Sequence, residues 1–208
     1  MKTILAYGDS LTWGHDPVDG GRHPHEARWP YVLRAELGDV DVISDGLCGR
    51  NTAFDDHAGN ADRNATRTLP VALAAQAPLD LVILMLGTND LKPATCGVAS
   101  GSEKGMQRLI RIVQTFPFDK PRCEIPRILV VAPPPHVIAD GRHSDTRIAE
   151  SRKFASLYEG LSRRFDTAFF DAATACRASD VDGTHLDAAN TQALGRALAP
   201  VCRALLAE

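Results

Sequence analysis

Leu81-Val82-Ile83-Leu84-Met85-Leu86 is the longest apolar run in the chain, and Ile128-Leu129-Val130-Val131 is a second of the same kind. Neither alternates with polar residues. Apolar side chains at successive positions of a strand point to opposite faces, so both faces of these strands must be covered. That is the signature of a parallel sheet between helices. Working outward, shorter β-branched runs at 3–7, 40–44 and 168–171 join 79–86 and 127–132 as predicted strands. Predicted helices lie between them at 29–37, 69–77, 103–115 and 146–165, with a last one at 188–206. The last shows Leu194, Leu198, Val201 and Leu205 as one stripe at helical spacing, with Asp187 placed to cap its start. Alternating strand and helix predicts an α/β three-layer sandwich with right-handed crossovers.

The 208 residues suit one domain spanning 1–208, and the composition, 44% hydrophobic and 24% charged, is that of an ordinary globular chain. With 23 Lys plus Arg against 26 Asp plus Glu, the net charge of −3 gives no basic surplus for nucleic acid. No Lys/Arg-rich run marks a membrane surface, and no apolar run approaches the roughly 20 residues that span a bilayer. Thr3 to Tyr7 is cut off by Gly8-Asp9, too early for a signal peptide, so a cytoplasmic protein is expected. The five cysteines, at 48, 96, 123, 176 and 202, are odd in number and widely spaced. They predict free thiols rather than a disulfide framework or zinc site.

Long connections are predicted at 16–28, 48–68, 93–102 and 133–145. They gather where strands end, and in open parallel sheets sites lie at the carboxyl ends of strands. Four short segments there carry possible chemistry. Gly8-Asp9-Ser10-Leu11 puts a serine hydroxyl on the turn leaving the first strand, although Asp and Ser are also common caps. It is not the Gly-x-Ser-x-Gly elbow, because Thr12 stands at the second glycine. Asp182-Gly183-Thr184-His185 can supply a base and its orienting carboxylate from one turn, or merely a cap beside a surface histidine. Gly87-Thr88-Asn89-Asp90 follows the most buried strand, where the Asn89 amide is either an oxyanion donor or a turn residue. Gly46-Leu47-Cys48-Gly49-Arg50 follows the second strand, and Gly49 leaves its backbone N–H open to close approach.

Taken in chain order, these four blocks resemble the SGNH hydrolases, the GDSL esterase/lipase family, over nearly the whole chain. The resemblance implies a five-stranded, flavodoxin-like parallel sheet. It also implies Ser10 as nucleophile, His185 as base, Asp182 as its partner, and an oxyanion hole from the N–H groups of Ser10, Gly49 and Asn89. No metal or organic cofactor is expected. Gly8-Asp9-Ser10-Leu11-Thr12-Trp13-Gly14, Leu86-Gly87-Thr88-Asn89-Asp90-Leu91-Lys92 and Ala132-Pro133-Pro134-Pro135 are similar to the arylesterase/acyltransferase branch, which includes a mycobacterial acyltransferase. That branch implies small acetyl and aryl esters, acyl transfer to alcohols or peroxide, and a homo-oligomer. His136 departs from it, standing where an apolar residue is expected.

Leu11, Thr12 and Trp13 are candidates for substrate contact, with Trp13 as a pocket wall. Phe54 and Val98 lie in the long connections, Trp13 and Trp29 flank the first of them, and all four are expected to need cover from another copy. Trp29 otherwise reads as core. His23-Pro24-His25 reads as a solvated loop rather than a metal site, and His15, His57 and His143 as loop residues. The rival readings are a carbohydrate deacetylase, a thioesterase or lysophospholipase with an apolar trench, and an inactive ligand-binding module on the same fold.

Overall fold

The computed structural model describes residues 1–118, 124–139, 141 and 143–207, so the expectation for Cys123 lies outside the described residues. Among the described residues, five parallel strands form one sheet: β1 (Lys2–Gly8), β2 (Val40–Gly46), β3 (Leu81–Met85), β4 (Arg127–Ala132) and β5 (Ala168–Asp171), in the order β2-β1-β3-β4-β5. The helices are α1 (Ser10–Trp13), α2 (Trp29–Leu37), α3 (Ala65–Gln76), α4 (Ala99–Thr115), α5 (Asp145–Ser151), α6 (Phe154–Phe165) and α7 (Ala188–Ala207). The order and the parallel pairing are those expected.

The apolar run behaves as its lack of alternation requires. Val82, Leu84 and Leu86 join Leu69 and Leu73 of α3, Leu109 and Ile110 of α4, and Phe154 and Tyr158 of α6 in one core. Leu81, Ile83 and Met85 join Trp29 and Leu33 of α2 and Leu194 and Leu198 of α7 in the other. Each fully buried leucine contributes about 1.5–3 kcal/mol relative to an exposed one, which is what anchors this strand at the sheet's centre.

Some boundaries move for identifiable reasons. The helix expected at 69–77 starts earlier, at Ala65, because Asn64 caps it through the Thr66 N–H at 3.0 Å. The helix expected at 146–165 divides into α5 and α6. Ser151 donates its hydroxyl to the Ile148 carbonyl at 2.7 Å and accepts the His136 N–H at 2.9 Å, diverting backbone partners at the break. Asp187 does cap α7, accepting the Asn190 N–H at 2.8 Å.

Register levels the strand ends. Gly8 pairs with Gly46 on one side and with Met85 on the other. The α1 backbone lies directly over this edge: a Cβ on Gly46 would fall 2.2 Å from the Trp13 nitrogen. Gly46→Ala is therefore expected to cost about 3 kcal/mol in urea unfolding, the upper part of the overpacking range, because a backbone cannot rotate out of the way. Gly160→Ala, in the open interior of α6 where nothing lies within 4 Å, should instead gain about 0.5–1 kcal/mol. Equal behaviour of the two would show that α1 does not constrain Gly46.

Candidate active site

The turn after β1 is built by Asp9, whose carboxylate caps α1 by accepting the Leu11 N–H at 2.9 Å. Ser10 is the first residue of that short helix, and its recessed side chain reaches His185: Oγ lies 2.9 Å from Nε2. His185 Nδ1 lies 2.5 Å from Asp182 Oδ2. A carboxylate only accepts, so the proton sits on Nδ1 and Nε2 is left to accept the serine hydroxyl. The second Asp182 oxygen accepts the N–H groups of Thr184 and His185, both at 2.9 Å. Burial would raise the Asp182 carboxyl, but these three hydrogen bonds outweigh it and hold the group well below the usual carboxylate range. Gly183 makes the turn possible with φ of 71°, and a Cβ there would meet the Val137 carbonyl at 2.5 Å.

Asn89 stands in a 3₁₀ turn, Thr88–Leu91, leaving β3. Its Nδ2 donates to Asp9 Oδ2 at 3.2 Å and to the Arg50 carbonyl at 3.1 Å. Both contacts are long, so a developing oxyanion, a stronger acceptor, can draw one of these hydrogens. Gly49 has φ of 83°, and Arg63 packs over its α-carbon, with Nε 2.7 Å from where a Cβ would lie. Arg50 is the residue that sequence reading missed. It is 4% exposed and donates to the carbonyls of Gly8 at 2.8 Å and Asp45 at 2.7 Å, and to the Asp45 carboxylate at 2.8 Å. Its guanidinium also lies over the Tyr7 ring at 3.9 Å. It thus ties the ends of β1 and β2 together while its own carbonyl orients Asn89. Nothing in Gly49-Arg50 distinguishes such an arginine from a solvated one until the strands are assembled.

Other expectations need correction. Leu11 is 3% exposed and packs in the core with α2 and α7, and Thr12 is fully buried under Gly8, so neither side chain faces an opening. A four-residue helix on the sheet edge turns those positions inward. Trp13 is half-buried beneath the Arg22 guanidinium, 4.7 Å above its ring. Trp29 is buried in the core and offers nothing to another copy. His23 is not a solvated loop residue: it is 2% exposed, with Nε2 2.8 Å from the Leu186 carbonyl. His15 packs its ring on His185, centroids 4.1 Å apart. Ligand atoms of His15, Asp182 and His185 lie within 4.8 Å of one another, but the close His185–Asp182 contact already commits two of them to each other. His136 is 3% exposed, with Nδ1 3.2 Å from the Gly183 carbonyl, and it stacks on His143. Cys48 is partly buried in the turn beside Gly49, and burial raises its thiol.

The profile of the GDSL-like lipase/acylhydrolase family matches residues 6–193. The chain belongs to that family. It is an SGNH hydrolase, a carboxylic ester hydrolase by class. A carbohydrate acetylesterase family member from Sinorhizobium meliloti superposes with a TM-score of 0.97 at 46% identity, covering 100% of both chains. A candidate arylesterase from Agrobacterium tumefaciens gives 0.95 at 53%, covering 99% of this chain and 100% of the other. The M. smegmatis aryl esterase gives 0.92 at 38%, again covering 99% and 100%. No curated protein sequence matches the chain. No helix among the described residues is long and apolar enough to cross a membrane.

The histidine beside the site sets a pH test. Burial, then the charge of Arg147, pushes the His136 imidazole down to about 3. An unfolded histidine takes up a proton near 6.5, so between these values the unfolded state binds more protons and stability falls as pH falls. Asp9 and Asp90, pushed up to about 6 by burial, act oppositely over roughly pH 4–6. Comparing His136→Gln with the parent isolates the histidine. The variant should lose about 2 kcal/mol less than the parent between about pH 7.5 and pH 5, read from urea unfolding. Parallel pH profiles would show that His136 does not titrate on unfolding.

Proposed function

We propose that this hydrolase is a serine esterase that cleaves small acetyl and aryl esters through an acyl-enzyme. The observation that carries the reading is the unbroken chain from Ser10 Oγ to His185 at 2.9 Å and from His185 to Asp182 at 2.5 Å. In this mechanism Ser10 Oγ attacks the ester carbonyl carbon while its proton passes to His185 Nε2. Asp182 stabilises the imidazolium so formed. The oxyanion is received by the N–H groups of Ser10 and Gly49 and by Asn89 Nδ2. Collapse breaks the bond to the alcohol oxygen, which leaves with the proton from His185. Water then adds by the reverse route, or an alcohol or peroxide takes the acyl group instead.

The recessed Ser10, 5% exposed, and the His15 ring packed on His185 support a short acyl chain. Two S. meliloti relatives, a carbohydrate acetylesterase family member and the carbohydrate acetylesterase Est24, favour a second reading, in which the leaving alcohol is a sugar. A small-molecule ester is the partner in either case. A homo-oligomer is proposed as well. With Trp29 withdrawn into the core, its support is Val98 at 42% exposure and Ile138 at 76%, on the loops after β3 and β4.

Ser10→Ala should abolish p-nitrophenyl acetate turnover without loss of stability and should no longer be labelled by a serine-directed phosphonate. Asp182→Asn should lower kcat about 10⁴-fold with the fold intact, because the histidine tautomer is no longer fixed. Labelling elsewhere with activity retained would displace the nucleophile.

Acyl selectivity gives an independent test. Each methylene left outside a short pocket forfeits about 0.8 kcal/mol, so p-nitrophenyl esters should fall in kcat/KM from acetate to butyrate and be rejected at octanoate. Vinyl acetate with benzyl alcohol in buffer should yield some benzyl acetate. Rates that climb toward octanoate, with acetate the sole product from vinyl acetate, would mean a lipid trench and a plain hydrolase.

A further inference from the structure

Among the described residues, two cations near the Asn89 turn make no ion pair. Lys92 closes the 3₁₀ turn that carries Asn89, its N–H donating to the Asn89 carbonyl at 3.1 Å. Arg147 lies on α5, the helix fastened to the Asn89 region and to the His185 loop. On one side Glu150 of α5 accepts the Ala99 N–H at 2.8 Å, and α5 packs against the Thr88–Leu91 turn. On the other, Ser151 holds the His136 backbone N–H, while the His136 ring reaches the Gly183 carbonyl next to His185. α5 thus stands between the Asn89 turn and the histidine loop, and the Arg147 charge acts on both Lys92 and His136. Lys92 in turn acts on Asp9, the neighbour of Ser10.

Among the described residues, neither Lys92 nor Arg147 makes an ion pair or a side-chain hydrogen bond, and Arg147 Nε is buried without an acceptor. Both are half-buried, and desolvation weakens the hold of each on its proton. The carboxylates in reach are engaged: Asp56 with Arg63 at 2.7 Å, Asp9 with the Leu11 N–H and Asn89, Asp182 with His185. A desolvated cation without a partner costs folding free energy unless an anion arrives to offset it. We propose that Lys92 and Arg147 form an anion-binding subsite beside Ser10, and that the preferred ester carries a carboxylate or phosphate on its leaving group. The leaving group is assigned because its oxygen takes the proton from His185, and α5, which carries Arg147, is fastened through Ser151 and His136 to the His185 loop. A planar guanidinium whose two terminal nitrogens have no acceptor among the described residues suits a bidentate oxyanion, with the lysine as a second point charge. The proposal rests on the serine esterase reading.

The test compares 4-acetoxybenzoate with its neutral methyl ester, each kcat/KM divided by the hydroxide rate of the same ester. At low salt the wild-type protein should favour the carboxylate by at least about tenfold, and about 0.5 M salt should shrink the preference through screening. Lys92→Met and Arg147→Met should each cut the ratio at least about fivefold, and Arg147→Lys should restore part of it. Phosphonate labelling of Ser10 in each variant separates a lost subsite from a lost fold. A 4-acetoxyphenyl phosphate arm shows which anion is taken. A wild-type ratio near one, or a ratio indifferent to both substitutions, would overturn the subsite. If the wild-type protein turns over neither ester while Ser10 resists the phosphonate, the esterase reading itself falls.

Discussion

The site depends on the parallel register that sets Gly8, Gly46 and Met85 side by side at one edge of the sheet. Each of these strand ends releases one functional segment, and the segments meet because the strands end level. Arg50 locks that arrangement. Its guanidinium takes the last carbonyl of β1 together with the carbonyl and carboxylate of Asp45 in β2, and its own carbonyl then orients Asn89 beyond β3. One residue therefore couples three strand ends, and a buried guanidinium with both terminal nitrogens engaged tolerates little displacement.

Short-range packing converts that edge into a serine turn. Gly46 lets the α1 backbone lie against β2, and Gly8 lets Thr12 fold beneath it. The result is a helix of one turn, capped by Asp9 at its start and by Gly14 at its end. Ser10 is buried on that turn with its hydroxyl against His185, the placement the proposed nucleophile requires. The cost falls on Asp9, a fully buried carboxylate pushed up to about 6, which is retained because it serves both the α1 cap and Asn89.

The Asp182–His185 segment is a separate local device. Asp182 binds two backbone N–H groups of its own turn and the imidazole at once, so the orientation of the His185 ring is written within four residues. The tertiary fold has only to bring that turn over Ser10, and α7, capped by Asp187 directly after it, does so.

The apolar run at Leu81–Leu86 determined the fold class by itself, because a strand apolar at every position can be satisfied only between two cores. The spacing of Asp182, Gly183 and His185 allowed either an imidazole–carboxylate pair or a cap beside a surface histidine, and the folded turn forms the pair. The order of the four motif blocks carried Ser10, Gly49 and Asn89 through resemblance. What the sequence left open was which way neighbouring side chains face. Leu11 and Thr12 turned inward, His23 became a buried hydrogen-bonding residue, and Trp29 went to the core, because one-turn helices and irregular loops lack a period from which direction can be read. What lies against Arg50, Lys92 and Arg147 was decided by tertiary structure alone. A cation's function depends on whether a carboxylate, a carbonyl or nothing lies against it, and those partners come from segments tens of residues away.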